Sequence, residues 1–331
     1  TIGNMSAIRL GTRASTLATT QSEMVARLLR SEGLDVDLTT ITTHGDTSTA
    51  SLAAMGGIGV FASAIRATLL KGEADIAVHS FKDLPTGRPL GLAIGAVPAR
   101  ADPRDALVAR DGLTLHDLPQ EASVGTGSPR RAAQLLAVRP DLTIVDIRGN
   151  VDTRLGRVKG LGHYAKGGGK EDLDAVVLAA SGLARLGHSG TVTEFLDPSV
   201  VLPAPAQGAL AVECRTADSR HGKLAKALAR IDDRRTRLAA TAERAVLSHL
   251  EAGCAAPIGA LAQLKPVSGS SPQVLTLDVV VATVDGSRII REQVSVELPA
   301  EVDSALAAAH TLGVTAAEEL LDCLLYTSPS P

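Results

Sequence analysis

The stretch Ala74-Asp-Ile-Ala-Val-His-Ser-Phe-Lys-Asp-Leu-Pro85 joins a short apolar run to a group of ionisable side chains. The run from Ile76 to Val78 has a β-branched residue at each end, which is typical of a strand buried on both faces of a sheet. The polar residues that follow it would lie at the carboxyl end of the strand, where open α/β sheets place their ligand sites. The stretch therefore predicts either a polar loop that covers a strand end or part of a binding site.

Composition limits the class of protein. The chain has 331 residues, enough for two or three domains, and 45% hydrophobic and 21% charged residues are ordinary for a globular protein. It has no Trp, 2 Tyr and 3 Phe, so the cores are aliphatic and the aromatic platforms of single-stranded nucleic-acid binding are missing. With a net charge of −3, anion binding must come from local clusters of arginine.

The cysteines argue against metal and disulfide chemistry. Cys214, Cys254 and Cys323 are far apart and show neither metal-ligand nor CxxC spacing. We expect no metal site and no disulfide framework, and a reducing cytoplasm as the location. The sequence shows no export signal and no run of 18 apolar residues, so no contact with a membrane is expected.

The order of predicted elements indicates an α/β fold. Strands at 7–10, 36–42, 76–78 and 90–97 alternate with helices at 15–32 and 61–71, which predicts a mostly parallel, doubly wound sheet. The same pattern starts again after Asp102-Pro103. The connector Pro203–Gly208 then leads to a strand at 209–213 that we expect to return to the first sheet.

The pattern changes near residue 218. A long Arg-rich helix at 224–250, a turn at 253–257, a hairpin of strands at 274–283 and 287–298, and a closing helix at 301–325 predict a separate α+β domain. We therefore expect domain 1 at 1–101 and 201–217, domain 2 at 102–200 and domain 3 at 218–325. The tail 326–331 has no core-forming pattern and is predicted to be disordered.

Arginines recur in or just after the loops that connect a predicted strand to a helix. In a doubly wound fold such loops converge on one crevice, and the planar guanidinium suits bidentate binding of carboxylates. Ser15 and Ser128 are predicted helix caps that add backbone donors. A single arginine is more often a solvated surface charge, but six in equivalent places favour an anionic ligand with several acids. The six are Arg13, Arg130, Arg131, Arg148, Arg154 and Arg185.

Two further residues have competing interpretations. Cys254 is either a small buried hydrophobe or, because it lies in a turn between Gly253 and Pro257, a presented thiol. Asp83 is either the partner of Lys82 or of an arginine, or a free carboxylate that stays ionised near many positive charges. The Gly-rich stretch 160–170 is predicted to be a flexible surface insertion.

Five motifs, in order and at matching spacing between about Ile8 and Leu325, resemble the porphobilinogen deaminase (hydroxymethylbilane synthase) family. They are His79–Pro85, Gly125–Arg131, Arg148–Arg154, Pro203–Gly208 and Leu250–Gly259. The resemblance implies two domains like type II periplasmic binding proteins and a third that carries a dipyrromethane cofactor on Cys254 through a thioether. It also implies a transferase that condenses four porphobilinogen molecules head to tail, with loss of ammonia, to hydroxymethylbilane in tetrapyrrole (haem) biosynthesis.

The resemblance also implies roles for individual residues. Asp83 would be the catalytic carboxylate, placed against the pyrrole N–H. There it would stabilise the cation that remains when ammonia leaves, and then help to remove the proton from the coupled ring. It implies a monomer that delivers its product to the next pathway enzyme, and it gives His79 no role. The implied cofactor-binding residues are Cys254, Lys82, Asp83, Thr126, Ser128, Arg130 and Arg131. The implied substrate-binding residues are Arg13, Ser15, Arg148, Arg154, Arg185 and Gln207.

The chain departs from the family pattern at three places. Ile58 and Ser63 stand where many members have lysine, which leaves the role of the 56–61 loop open, and Ala206 stands where glycine is usual. Two rival functions remain open from the residues alone. One is a two-lobed anion-binding solute or effector module without catalysis, which would have no use for Cys254. The other is a transferase that uses Cys254 directly as the nucleophile, with His249 as the one nearby histidine.

Overall fold

The computed structural model describes residues 7–41, 59–87, 89–250, 257–265 and 273–326. Cys254 and Ile58 lie outside these ranges. Two compact units are formed, one by residues up to Ala101 together with Ala209–Arg237, and the other by Asp102–Gly208 together with residues from Leu238 onward. Among the described helices, none combines the length and the apolar character needed to span a bilayer.

The described residues form thirteen strands and eight α-helices. The strands are β1 (Ile8–Thr12), β2 (Val36–Thr40), β3 (Ile76–Ser80), β4 (Leu92–Ala96), β5 (Asp105–Ala109), β6 (Ser123–Gly125), β7 (Thr143–Val145), β8 (Ala175–Ala179), β9 (Glu194–Phe195), β10 (Leu210–Arg215), β11 (Ile258–Leu264), β12 (Val274–Ala282) and β13 (Ile289–Glu297). The helices are α1 (Thr16–Ser31), α2 (Gly59–Leu70), α3 (Pro129–Val138), α4 (Val151–Leu155), α5 (Ala180–Arg185), α6 (Gly222–Ile231), α7 (Arg234–His249) and α8 (Val302–Tyr326).

The sheet of the first unit has the order β2-β1-β3-β10-β4. β1 is parallel to β2 and β3, while β10 is antiparallel to both of its neighbours. The prediction that the strand after Pro203–Gly208 returns to the first sheet is confirmed. Both faces are covered: Ile76 and Val78 join a core that includes Val25 and Leu228, while Ala77 faces a second core on the opposite side.

The second unit contains a sheet of the same kind, with the order β7-β6-β8-β5-β9. β6 lies parallel to β7 and β8, and β5 runs antiparallel to β8 and β9. Leu107 packs on one face of this sheet and Val108 on the other, as the two-residue repeat of a strand requires. The predicted α/β class with two doubly wound sheets is therefore confirmed.

The C-terminal part is an antiparallel sheet, β11-β12-β13, packed against α7 and α8 through one aliphatic core. The predicted α+β character and the hairpin between β12 and β13 are confirmed, and Gly286 adopts φ +70° in the turn. β11 was not predicted, because its Ala- and Gly-rich sequence has low strand propensity.

The single helix predicted for 224–250 is wrong. The chain forms α6 and α7 instead, and the break lies at Asp232 and Asp233. The carboxylate of Asp233 accepts a hydrogen bond from the backbone N–H of Thr236 at 2.7 Å, as an N-cap does, and so begins a new helix. Asp232 accepts the backbone N–H of Val97 at 2.7 Å, and α6 packs in the core of the first unit.

A substitution at Gly313 on α8 tests how closely the two C-terminal helices α7 and α8 pack. A methyl group at this position would overlap the carbonyl oxygen of Ala242 on α7. Helix propensity alone favours Gly→Ala by about 1 kcal/mol, but overpacking costs about 1–3 kcal/mol when the neighbour is backbone. We expect Gly313→Ala to lower the free energy of unfolding in urea. Gly182→Ala is the control, since Gly182 is helical and no described atom lies within 4 Å of its added methyl. Equal effects of the two substitutions would contradict the close packing.

Candidate active site

In the first unit, two of the predicted site segments follow adjacent parallel strands. Arg13 comes directly after β1, and Asp83 ends the short 3₁₀ turn Phe81–Asp83 after β3. Because β1 and β3 are parallel neighbours, both segments lie at the same edge of the sheet. Ser15 caps α1 as predicted, accepting the N–H of Ala18 at 3.4 Å.

Asp83 presents its carboxylate to solvent. Its side chain is exposed, and within the described residues it makes no hydrogen bond or ion pair. The alternative in which Asp83 is the salt-bridge partner of Lys82 or of an arginine is therefore not seen there. Lys82, next to it, is half-buried. The arrangement leaves a carboxylate available at the strand end.

A buried polar network fixes the strand that leads to Asp83. His79 Nε2 lies 3.1 Å from Oε2 of Glu213 on β10, and Arg66 of α2 donates to Glu213 Oε1 at 3.0 Å. The Glu213 side chain is 1% exposed. His79 was expected in a loop; the structure places it in β3 because the pairing with β10 extends the strand to Ser80. Ser80 in turn is bonded to Gln21 at 2.9 Å.

In the second unit, the arginines follow three neighbouring parallel strands. Arg130 and Arg131 begin α3 after β6, Arg148 follows β7, and Arg185 ends the short helix after β8. Since these strands have the order β7-β6-β8, their carboxyl ends share one edge of the sheet. The second unit therefore gathers cationic side chains at this edge.

The turn before α3 is shaped by close backbone approach. A methyl at Gly127 would lie 2.6 Å from the carbonyl oxygen of Ile147, which requires glycine there. Thr126 is buried and its hydroxyl accepts the N–H of Ser128 at 3.2 Å. Ser128 caps the helix by accepting the N–H of Arg131 at 3.4 Å, and Pro129 takes the first helical position, both as predicted.

Asp105 at the start of β5 binds both arginines of α3. Its carboxylate is 0% exposed and lies 2.7 Å from Nη1 of Arg130 and 2.7 Å from Nη2 of Arg131, whose side chains are 5% and 7% exposed. Arg130 Nη1 also donates to the carbonyl of Leu202 at 2.7 Å, and Arg131 Nη1 to that of Val177 at 3.1 Å. Two cations on one carboxylate leave the cluster with a formal charge of +1.

The pKa values reflect this balance. Burial alone raises the pKa of Asp105, but the charges of Arg130 and Arg131 outweigh it and hold the pKa well below the usual aspartate range. Burial lowers the pKa of Arg130 despite the opposing effect of Asp105. The direct contact of Arg130 and Arg131 with a cofactor stays a prediction, because the structure shows these side chains engaged with Asp105.

Gln207 belongs to the same cluster. Its amide nitrogen donates to Asp105 Oδ1 at 2.9 Å and to the carbonyl of Pro103 at 2.8 Å, and its oxygen lies 3.5 Å from Nη2 of Arg131. Gln207 therefore supports the arginines from inside. The preceding Ala206 adopts φ +61°, which explains why glycine suits this position. The backbone N–H of Ala206 donates a hydrogen bond to the carboxylate of Glu243 on α7 at 2.6 Å.

Arg154 and Arg185 are half-buried, and within the described residues neither pairs with a carboxylate. Arg154 Nε donates to the carbonyl of Gly149 at 2.8 Å, and Arg185 Nη2 to that of Gly208 at 2.7 Å. Nε of Arg185 is buried and has no hydrogen-bond partner in the part of the chain that the structure describes. Burial lowers the pKa of Arg185 to about 10, and burial followed by the charge of nearby Arg131 lowers that of Arg154. Two poorly compensated cations thus lie where an anion would stabilise them.

Arg148 differs from these two because it is exposed. Its Nη2 lies 3.5 Å from Oδ2 of Asp146 in a solvent-accessible pair. Such a pair contributes little to stability, so Arg148 can exchange Asp146 for a ligand at small cost.

Two buried carboxylates, Asp105 and Glu213, were missed in the sequence. Asp105 and Glu213 each interrupt or precede an apolar strand that is buried on both faces. A carboxylate in such a run is costly unless it is paired, so the sequence did carry a signal for buried partners. It did not say which arginines they bind.

Comparison with known proteins decides the family. Residues 8–223 match the family model "Porphobilinogen deaminase, dipyromethane cofactor binding domain", and residues 237–322 match "Porphobilinogen deaminase, C-terminal domain". The chain belongs to the porphobilinogen deaminase family. Its five sequence motifs therefore reflect common descent and not a chance set of short matches.

Relatives in this family align over almost the whole chain. A porphobilinogen deaminase of Cutibacterium acnes is 96% identical over 318 residues, covering 96% of this chain and 95% of the relative. That of Micrococcus luteus is 51% identical, with 96% and 93% covered. Among solved structures, apo YehZ from Escherichia coli is similar at 13% identity and a TM-score of 0.41, covering 69% of this chain and 86% of that one. A score this low indicates only a loose resemblance.

The buried Asp105 cluster yields a stability prediction. Asp105→Asn removes the one carboxylate that both guanidiniums contact, and breaking a buried ion pair from one side costs about 3–5 kcal/mol. We expect a corresponding loss in the free energy of unfolding in urea at neutral pH. Asp141→Asn is the control, because Asp141 forms a more exposed pair with Arg139 and its loss should have a much smaller effect.

The same substitution has a defined pH dependence. The pKa of Asp105 is lowered on folding, so its stabilisation is present above the unfolded value of about 3.9 and is lost as the pH falls toward the folded value. The difference between the parent chain and Asp105→Asn should therefore shrink below about pH 4. A difference that stayed constant down to pH 2 would contradict the ionised state of Asp105.

Proposed function

We propose that this chain is a hydroxymethylbilane synthase, which condenses four porphobilinogen molecules head to tail with loss of four ammonia molecules. Hydrolysis by one water molecule then releases the product as hydroxymethylbilane for tetrapyrrole biosynthesis. Family membership supports this activity. The observation that connects this activity to the chain's own residues is the pair of half-buried cations, Arg154 and Arg185. Within the described residues, neither guanidinium forms a direct ion pair with a carboxylate. Every pyrrole unit of the substrate carries an acetate and a propionate, which are the groups such cations bind.

The cofactor of the family fits the residues of the second unit. The buried Nε of Arg185 has no partner within the described residues, and a carboxylate of a dipyrromethane or of the growing chain would satisfy it. When bound, the dipyrromethane supplies the terminal pyrrole to which the first substrate unit is joined. We propose that Cys254, outside the described residues, holds it through a thioether, and that Lys82, Thr126, Ser128, Arg130 and Arg131 contribute to holding it.

We assign carboxylate binding on the substrate side to residues at the two sheet edges. Arg185 and Arg154 provide guanidinium groups that pair with no described carboxylate and can therefore bind one of the substrate. Arg148 provides a further guanidinium on the surface. Ser15 stabilises the turn that carries Arg13 by capping α1. Gln207 acts through the orientation of Arg131.

Asp83 is the proposed catalytic residue. Loss of ammonia breaks the C–N bond of the aminomethyl group and leaves an azafulvenium cation; the new C–C bond then forms, and the attacked ring loses a proton. A carboxylate at the pyrrole N–H stabilises the cation and then assists removal of the proton. Asp83 is exposed and has no hydrogen-bond or ion-pair partner among the described residues, so its carboxylate is available for both steps.

The two rival functions place different demands on the chain. A solute-binding module needs the arginines but no attached group, and a transferase with Cys254 as direct nucleophile needs a base beside the thiol. His249, the one candidate base, lies 3.8 Å from Glu318. Neither rival uses Asp83.

We propose that the enzyme is a monomer with domains at 1–101 with 201–217, 102–200 and 218–325. The packing of α6 in the core of the first unit suggests that its first domain also takes up residues 222–231. We further propose that it acts in the cytoplasm and delivers its product to the next pathway enzyme. Size-exclusion chromatography with light scattering measures the molar mass in solution and so tests whether the enzyme is a monomer.

Asp83→Asn tests the catalytic assignment. We expect kcat for porphobilinogen consumption to fall by about 10²–10⁴-fold, because the amide neither balances the cation nor accepts the proton. Intact-protein mass should show the dipyrromethane adduct on both the parent and the variant. Near-normal turnover of the loaded variant would sink the assignment, and no adduct on the active parent would sink the cofactor proposal. Asp37→Asn, exposed on β2, is the control and should keep full activity.

Arg185→Gln separates binding from stability. Loss of a charge-assisted hydrogen bond to a substrate carboxylate should raise KM by about ten- to a hundredfold. The free energy of unfolding should stay the same or rise, because a poorly compensated buried cation is removed. The control Arg139→Gln breaks bonds to Asp141 and to the carbonyl of Leu115 and should show the opposite pattern, with lower stability and unchanged KM. Unchanged KM in Arg185→Gln would refute the carboxylate-binding role.

A further inference from the structure

Two very short helices carry the half-buried arginines. α4 has five residues and includes Arg154, and α5 has six residues and ends at Arg185. Helices of this length have little stability of their own, because nucleation is costly and few bonds follow. Their orientation, and with it the direction of both guanidiniums, must come from contacts with the surrounding structure.

A hydrogen bond between His188 and Asp152 joins the two segments. His188 Nε2 lies 2.7 Å from Oδ1 of Asp152, and their side chains are 22% and 40% exposed. Among the described residues, it is the one side-chain hydrogen bond between 149–156 and 180–188. Leu155 and Leu183 also meet in one core cluster, but apolar packing is not directional.

The backbone ties each member of this pair to one arginine. His188 donates its N–H to the carbonyl of Leu183 at 2.8 Å, and Gly187, at φ +76°, donates to Ala184 at 3.1 Å. These two bonds form a Schellman motif that ends α5 directly after Arg185. The imidazole is therefore fixed to the turn that carries Arg185. On the other side, Asp152 lies two residues before Arg154.

Tyr164 supports the imidazole from the Gly-rich insertion. Its ring meets that of His188 edge to face, with centroids 5.0 Å apart and an interplanar angle of 84°. The stretch predicted as a flexible insertion forms a 3₁₀ turn at Gly162–Tyr164, and Gly169 donates a backbone bond to Gly162 at 2.9 Å. Tyr164 also packs against the core cluster of Leu155 and Leu183.

We propose that His188 and Asp152, backed by Tyr164, are positioning residues that fix Arg154 and Arg185 relative to one another for binding of the substrate carboxylates. The inference rests on the proposed carboxylate-binding role of these arginines. Among the described residues, each guanidinium donates to one backbone carbonyl, so its direction follows the helix that carries it. Loss of the hydrogen bond lets α4 and α5 shift independently and weakens binding without touching the substrate.

The test compares steady-state kinetics of the holoenzyme with porphobilinogen. Removing one hydrogen bond of this kind corresponds to a rise in KM of about three- to tenfold, which we expect for His188→Ala and for Asp152→Ala, with kcat within twofold of the parent. His188→Gln should restore the parental KM, since its amide can donate from the position of Nε2. Asp152 is the more exposed partner, so its variant tests the bond even if His188→Ala fails to fold.

A merely structural role is excluded by a double-mutant cycle. If His188 acts through Arg154, His188→Ala should raise KM little further in an Arg154→Gln background. Val192→Ala serves as the stability control, because Val192 packs on the same core cluster without joining the two helices; it should lower the unfolding midpoint and leave KM unchanged. His116→Ala, an exposed histidine of the same unit, should change neither.

The outcomes separate the two levels of the proposal. If Arg154→Gln and Arg185→Gln leave KM unchanged, the carboxylate-binding role fails and the positioning role with it. If these two variants raise KM but His188→Ala and Asp152→Ala do not, only the positioning role fails. The positioning role alone also fails if His188→Ala raises KM as much in the Arg154→Gln background as in the parent, or if Val192→Ala raises KM equally.

Discussion

The buried carboxylate of Asp105 determines how the second unit is built around its charges. It holds Arg130, Arg131 and Gln207 together at the start of α3, and the connector that contains Gln207 returns the chain toward β10. Desolvating three charged groups is costly, and the mutual attraction must offset that cost. The geometry of this cluster is therefore coupled to the geometry of the backbone from Pro103, Val177 and Leu202, whose carbonyl groups take the remaining donors.

The two sheet edges differ in their electrostatic state. The edge of the first unit presents an exposed carboxylate, Asp83, on a strand stabilised by the buried pair of Glu213 and Arg66. The edge of the second unit carries more guanidinium charge than its described carboxylates neutralise. An enzyme that builds a chain of carboxylated pyrroles needs both kinds of charge: a fixed anion for the transient cation and fixed cations for the permanent acids. Arg130 and Arg131 differ from Arg154 and Arg185, because both pair with the buried carboxylate of Asp105.

The sequence predicted the α/β repeats well because apolar runs such as Ile76–Val78 and caps such as Ser128 are local signals. It also predicted the return of β10, since paired strands commonly join two α/β domains. It failed where tertiary contacts decide. Asp233 begins a new helix inside an Arg-rich pattern, and β11 forms despite its weak propensity because it pairs with β12 and buries one face in the aliphatic core. In the site, residue types and strand ends located the arginines. Their pairing could not be predicted, because the partners Asp105 and Glu213 are 25 and 147 residues away from Arg130 and Arg66.

The position of β10 also constrains the order in which the protein can be made. β10 lies between β3 and β4, yet more than a hundred residues, including the whole α/β sheet of the second unit, are synthesised between β4 and β10. Until that strand leaves the ribosome, β3 and β4 lack their shared neighbour, and His79 and Arg66 lack Glu213. The α/β part of the second unit meets no such delay, because all of its strands are contiguous in the chain. During synthesis the five-stranded sheet of the first unit is therefore completed after the five-stranded sheet of the second unit, although its first strands are translated earlier.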